Sequence, residues 1–146
     1  MTVLDTQAIV ALLRGEPAAA EVEAILRGRD GIASMSAITI AEVIDVGVRR
    51  GGQRVDAMGD RVSALIAGGL EIVSVDEDIS RLAGDLRARH WDAHRRPVSM
   101  ADCIVLATGM RLGEPIATAG PPLIAAAHAE GHPVVVLPDS KGQLPR

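Results

Sequence analysis

Three acids stand at the borders of three well-separated apolar segments: Asp5, Glu42 and Asp102. Asp5 closes the N-terminal run Met1-Thr2-Val3-Leu4. Glu42 lies inside Ile38-Thr39-Ile40-Ala41-Glu42-Val43-Ile44. Asp102 interrupts Met100-Ala101-Asp102-Cys103-Ile104-Val105-Leu106. A carboxylate carried into apolar surroundings is costly unless it gains a hydrogen-bonding partner or a cation. Three in one small chain suggest a fold that gathers oxygen ligands around a hard cation such as Mg²⁺ or Mn²⁺. Each also has a plainer role open to it. Asp5 would cap a helix beginning at Thr6, Glu42 would face solvent, and Asp102 would answer the dipole of a helix start.

The elements that must position these acids alternate short β-rich runs with longer helical ones. Val3–Asp5 reads as a buried strand, followed by a helix over 6–13 that stops at Arg14-Gly15. Pro17 suits the first turn of a second helix, expected to run to about Arg29. Gly31–Ser34 is a second strand, and Ser36 is placed to cap a helix that carries Glu42 and stops at Gly51-Gly52. A helix over 54–66, a strand over 70–75 and a helix capped by Asp76 follow. Arg87–Pro97 is polar and rich in Arg and His. Ser99 caps a helix to Leu112, stopped by Gly113. Pro115–Thr118 is a fourth strand, Pro121-Pro122 opens a helix, and Val134–Leu137 is a fifth strand. This alternation predicts an α/β fold, a three-layer α/β/α sandwich around a mostly parallel sheet. One domain over 1–138 is expected, with a loose polar tail over 139–146. In such sheets sites form at the carboxyl ends of strands, where Asp5 stands.

Composition narrows the function classes. The chain has 146 residues, suited to one domain with a sizeable core. Hydrophobic residues reach 48% but aromatics only 1%, so the core must be aliphatic. The single cysteine, Cys103, excludes an internal disulfide and a cysteine-based zinc site; it reads as a small buried hydrophobe. No apolar run of about 18 residues predicts a membrane span, and the N-terminus lacks the pattern of a signal peptide; a reducing cytoplasm is the expected location. A net charge of −4 gives no global attraction to nucleic acid. Lys141 is the only lysine, so the cationic side chains are nearly all arginines. His90/His94 and His128/His132 have helical i, i+4 spacing but lack the accompanying carboxylate of a zinc helix, and no zinc site is expected there.

Several motifs, in order, resemble the PIN-domain family, specifically its VapC-type toxins. They are Val3-Leu4-Asp5-Thr6, Thr39-Ile40-Ala41-Glu42-Val43, Ser99-Met100-Ala101-Asp102-Cys103-Ile104, Gly113-Glu114-Pro115-Ile116-Ala117-Thr118-Ala119 and Leu137-Pro138-Asp139-Ser140. The resemblance spans nearly the whole chain. It implies a metal-dependent endoribonuclease, with Asp5 and Asp102 binding Mg²⁺ or Mn²⁺ and Glu42 completing a catalytic cluster. It further implies a homodimer, an RNA substrate and a cognate VapB-type antitoxin that inserts a basic side chain among the acids. One position departs from the pattern: the family usually places a fourth acid after this Thr-Ala, and here Gly120 stands there. That loss weakens the expectation of a second metal and leaves a catalytically disabled PIN-like binding module as the alternative.

Arg87, Arg89, Arg95 and Arg96, with His90 and His94, form the densest basic stretch. They are expected either to face solvent or to contact RNA phosphates, with Trp91 available to stack on a base. Two other chemistries fit poorly. A phosphotransferase using Asp5 as nucleophile would want an acid two residues on, where Gln7 stands. A dinucleotide-binding domain would want a glycine-rich turn after the first strand.

Overall fold

The computed structural model describes residues 1–28 and 32–145. Five parallel strands form one sheet in the order β3-β2-β1-β4-β5: β1 Thr2–Leu4, β2 Ala33–Ser36, β3 Glu71–Val73, β4 Ile116–Thr118 and β5 Val134–Val136. Seven helices connect or flank them among the described residues: α1 Thr6–Arg14, α2 Ala19–Leu26, α3 Ala37–Arg49, α4 Val55–Ala67, α5 Glu77–His90, α6 Met100–Leu112 and α7 Pro121–Ala129.

Successive strand side chains point to opposite faces, and β1 divides the core accordingly. Leu4, with Met35 and Ala117, packs beneath helices α1 to α4 through Ile9, Val22, Val43 and Val62. Val3, with Ile116, packs beneath α5 to α7 through Leu86, Leu106 and Leu123. The three-layer α/β/α sandwich expected from the alternation is therefore present, and its core is aliphatic throughout.

Helix punctuation follows local chemistry. Asp5 accepts the Ala8 amide at 2.8 Å and caps α1, while Asp76 accepts the Ile79 amide at 2.9 Å and caps α5. Helices α1 and α6 end on Gly15 and Gly113, with φ of 65° and 67°, where a residue without Cβ adopts the left-handed turn freely. Boundaries differ from expectation where propensity competes with packing. Helix α2 begins at Ala19 rather than Pro17; its expected end at Arg29 and the expected strand start at Gly31 lie outside the described residues. Strand β2 extends to Ser36, which precedes α3 without making a side-chain cap bond. The basic stretch is helical through His90, because α5 continues to pack Leu86 into the core.

Within the segment expected to be loose, residues 139–143 form a folded turn. Asp139 accepts the amides of Lys141 at 2.8 Å and Gln143 at 2.9 Å, and its own amide donates to the Gln143 carbonyl at 2.8 Å. An aspartate that bonds to backbone N–H groups a few residues on is a local turn former.

Candidate active site

Sheet order changes direction at β1: the chain builds β2 and β3 on one side, then crosses to place β4 and β5 on the other. Open α/β sheets form their crevice at such a switch, outside the carboxyl ends of the strands. Leu4 pairs with Ala117 across β1 and β4, so the next residues, Asp5 and Thr118, emerge side by side. The Asp5 amide continues the ladder to the Ala117 carbonyl at 3.2 Å.

A cleft of about 590 Å³ opens there, and Asp5, Glu42 and Asp102 all line it. Tertiary structure thus gathers three acids separated by 37 and 60 residues of chain. Asp5 is buried, with one carboxylate oxygen accepting the Ala8 amide and the other accepting the Thr118 hydroxyl. Burial pushes its carboxyl well above the ordinary range, to about 7. The bonds from Thr118 and Ala8 pull it back down, and the negative charges of Asp102 and Glu42 push it further up. Glu42 accepts the Thr6 hydroxyl at 2.5 Å through Oε2. Asp102 sits at the start of α6 in a capping box: Ser99 Oγ accepts the Asp102 amide at 3.0 Å, and Asp102 Oδ2 accepts the Ser99 amide at 2.9 Å. The capping roles open to Asp5 and Asp102 are therefore occupied, and both residues still line the cleft.

Among the described residues no Arg, Lys or His forms an ion pair with these three acids, and no three acid, His or Cys side chains stand at common metal-ligating distance as placed. The donor set nevertheless suits a hard divalent ion. The acids Asp5, Glu42 and Asp102 offer hard carboxylate oxygens, and no cation among the described residues is paired with them. Asp102 Oδ1 and Glu42 Oε1 make no protein hydrogen bond among the described residues. Asp45, one turn beyond Glu42, also lines the cleft, but Arg49 grips it at 2.7 and 2.6 Å and holds its carboxyl below the usual range.

Gly120 follows directly. Its amide donates to Thr118 Oγ1 at 2.9 Å, and a Cβ built on it would meet that oxygen at 3.3 Å and the Gln7 side-chain amide at 3.6 Å. The backbone there, φ −82° and ψ 111°, is open to any residue and is the extended form that the following Pro121 requires.

The basic stretch lies elsewhere. None of Arg87, Arg89, Arg95 and Arg96 lines the acid cleft. Arg87 donates to the Val98 carbonyl at 3.3 Å and lies 5.4 Å above the Trp91 ring. Arg89 pairs with Asp85 at 2.9 Å and Glu130 at 2.5 Å. Arg96 contacts His90 Nδ1 at 2.7 Å, and His90 Nε2 in turn meets Glu130. Of these four arginines, only Arg95 is exposed and without an ion-pair partner among the described residues. Most of the stretch therefore fastens the end of α5 and the 92–96 turn to α7. Of the histidines at helical spacing, His132 bonds to the Glu114 carbonyl at 2.9 Å and His90 meets Glu130. Cys103 is a buried thiol whose pKa burial raises to about 11, an inert packing residue.

Thr118 lies within a quoted motif, yet nothing in its type or spacing marks it as a partner of Asp5. Its signal is positional only: a hydroxyl ending the strand beside the acid's strand. Arg14, Arg49 and Arg50, which no sequence motif marks, also line the cleft, as do Asp139 and Ser140 of the last quoted motif.

An all-parallel sandwich with a carboxylate cleft at its switch point is an architecture shared by metal-dependent nucleases. A family model described as the PIN domain matches residues 2–129, and the chain belongs to that family. No curated protein matches it at the level of sequence. Among solved structures, FitAcB from Neisseria gonorrhoeae is 27% identical with a TM-score of 0.64, the match covering 92% of this chain and 96% of that one. VapBC-5 from Mycobacterium tuberculosis, of the VapBC family of toxin–antitoxin systems, is 25% identical with a TM-score of 0.58 over the same shares, 92% and 96%. VapC20 of that organism, a toxin that cleaves the sarcin–ricin loop, shares the fold at 18% identity and a TM-score of 0.70, covering 86% of this chain and 95% of its own.

Proposed function

We propose that this protein is the endoribonuclease toxin of a VapBC-type pair and cleaves RNA in a Mg²⁺- or Mn²⁺-dependent reaction. One observation carries the reading: Asp5, Glu42 and Asp102 line one cleft with no protein cation paired to them among the described residues. Asp5 and Asp102 would hold the ion, and Glu42 would complete the acidic cluster. A bound divalent ion supplies an activated water and offsets negative charge developing on the phosphodiester.

The protein's own part is placement. Thr118 fixes the Asp5 carboxylate, Thr6 fixes that of Glu42, and the Ser99 amide fixes that of Asp102. Each acid thus keeps one orientation before any ligand arrives, which is what preorganised sites require.

Kinship with toxin–antitoxin complexes supports a cognate antitoxin as partner, and the surface offers it a path. A second pocket of about 180 Å³, lined by Val10, Leu13, Val46, Gly47 and Met58, shares Val10, Arg14 and Val46 with the acid cleft. An antitoxin segment would anchor apolar side chains there and pass a basic side chain to the acids, neutralising them and displacing the ion. The reading includes a homodimer, for which Val55 and Ile66 on α4 offer exposed apolar surface, and action in the cytoplasm. No helix among the described residues is long and apolar enough to cross a membrane.

Gly120 favours a second reading, a catalytically disabled PIN scaffold that binds antitoxin, RNA or both. The position usually acidic in the family has no side chain here.

The deciding experiment incubates purified, antitoxin-free protein with a pool of structured cellular RNAs in EDTA, Mg²⁺ or Mn²⁺, with Asp5→Ala alongside. Metal-dependent cutting that vanishes in Asp5→Ala supports the nuclease. A folded protein that cuts nothing in any metal would transfer support to the disabled scaffold.

A further inference from the structure

The acid cleft is graded in charge along its length. Helices α1 and α3 both present one stripe to it, in rows spaced three, four and seven residues apart. The α1 stripe starts beside Asp5 and ends at Arg14, and the α3 stripe starts at Glu42 and ends at Arg49, with Arg50 beyond. At the rise of an α-helix, Arg14 lies about 12 Å along α1 from Thr6, and Arg49 about 10 Å along α3 from Glu42. Asp5, Glu42 and Asp102 therefore line the part of the cleft where α1, α3 and α6 start, and Arg14, Arg49 and Arg50 the part where α1 and α3 end, with Glu16 and Asp45 standing among those arginines.

The three arginines are not equally engaged. Arg49 is held by both oxygens of Asp45 at 2.7 and 2.6 Å. Arg14 stands 3.6 Å from Glu16, beyond hydrogen-bond length. Arg50 is exposed and makes no ion pair among the described residues. Arginine near a helix C-terminus also answers the helix dipole, but that needs no particular direction around the helix, and these side chains share one cleft.

We propose that Arg14 and Arg50 grip backbone phosphates of single-stranded RNA beside the cleavage point, while Arg49 is neutralised by Asp45. This rests on the nuclease reading above. An RNA strand entering a floor of three acids meets repulsion, and a protein of net charge −4 offers no general attraction to offset it. Local guanidinium groups supply the attraction where the neighbouring phosphates must lie, and their planar fork matches phosphate oxygens in pairs. The cleft volume of about 590 Å³ lies within the range of sites that enclose ligands of nucleotide size. The arginines of the 87–96 segment are mostly spent on Asp85, Glu130, His90 and Val98, which leaves the cleft rim as the better-placed cationic surface.

The test compares wild type with Arg14→Gln, Arg50→Gln, the double variant and Arg81→Gln. Arg81 is an exposed control paired to Glu77 on α5, away from the cleft. Thermal melts establish that each variant folds. Anisotropy of a labelled single-stranded RNA is read in EDTA across a salt series, and cleavage kinetics are read in Mg²⁺. Each cleft variant is expected to weaken binding about three- to tenfold and to flatten the salt slope by about 0.7. KM should rise with kcat unchanged, while Arg81→Gln matches wild type. RNA bound or cleaved by the cleft variants with wild-type affinity, slope and KM would overturn this assignment and leave the nuclease reading standing. Rim-dependent binding without cleavage in any variant would uphold the assignment and remove the nuclease reading. A wild-type protein that neither binds nor cleaves RNA overturns both.

Discussion

Thr118 donates its hydroxyl proton to Asp5 Oδ2 while accepting the amide of Gly120, joining the end of β4 to the end of β1 at the floor of the cleft. One hydroxyl thereby orients the buried acid, lowers the cost of its ionisation and satisfies the backbone at the position where the family usually carries a fourth acid. Thr118 acts through Asp5, so it is a positioning residue.

Thr118→Val keeps the shape and removes the hydroxyl. It strands Asp5 Oδ2 and the Gly120 amide, and should cost about 1–3 kcal/mol of stability. It should also raise the Asp5 pKa further, because a bond that favours the charged form is gone. Urea denaturation and the pH profile of metal-dependent cleavage check the two effects, and Thr118→Ser should restore both. Loss of stability with an unmoved pH profile would reduce Thr118 to a structural bond.

Asp5 carries the clearest pH dependence. Its folded pKa of about 7 exceeds its unfolded value of about 3.9, so the folded state binds the extra proton between them. The stability this contributes is fully present below the unfolded pKa and is lost as pH rises through about 7. Metal-free protein should therefore melt at a lower temperature at pH 8 than at pH 6, by several degrees for a domain of this size. A metal competes with that proton, so Mn²⁺ should raise the melting temperature more at pH 8 than at pH 6. Asp5→Asn should flatten both trends. Equal Mn²⁺ stabilisation at the two pH values would contradict Asp5 as a ligand.

Gly120→Asp should fit with adjustments of only tenths of an ångström, because Thr118 and Gln7 leave room for a Cβ and the backbone dihedrals are permissive. The new carboxylate adds a ligand oxygen and adds repulsion to Asp5, so it should destabilise the metal-free protein and strengthen Mg²⁺-dependent cleavage, by about tenfold or more if it aligns the attacking water. Cleavage rates matched between glycine and aspartate forms would mean that a fourth acid adds nothing in this chain.

Ser34 is fully buried on β2, and its hydroxyl has no hydrogen-bond partner. Ser34→Ala should stabilise the fold by about 1 kcal/mol, since removing an unsatisfied polar group recovers its desolvation cost. Chemical denaturation would show the midpoint rising with an unchanged slope; a lower midpoint would mean that the hydroxyl is satisfied in solution.

The element order and the layered architecture were legible because periodicity and caps are local. Val3-Leu4 followed by Asp5 marks a buried strand running into a capped helix, and Ser99 with Asp102 marks a helix start three residues apart. For the basic stretch a local pattern was not enough, for the converse reason. Spacing shows that Arg89, His90 and Arg96 are near one another in the chain. It does not show that Glu130, 40 residues from His90, arrives to absorb their charge.

By itself the sequence determined which residues alternate, where helices begin and stop, and that three acids stand at the ends of apolar segments, since each depends on neighbours within a few positions. Only the tertiary structure decided which of those ends meet. The crossover from β3 to the far side of β1 sets β4 beside β1 and places Thr118 on Asp5, and the packing of α1 on α3 brings Asp5, Glu42, Arg14 and Arg49 to one cleft. Those relationships join residues up to 113 positions apart. They exist because burying both faces of the sheet favours one arrangement of helices, and no local pattern in the chain specifies it.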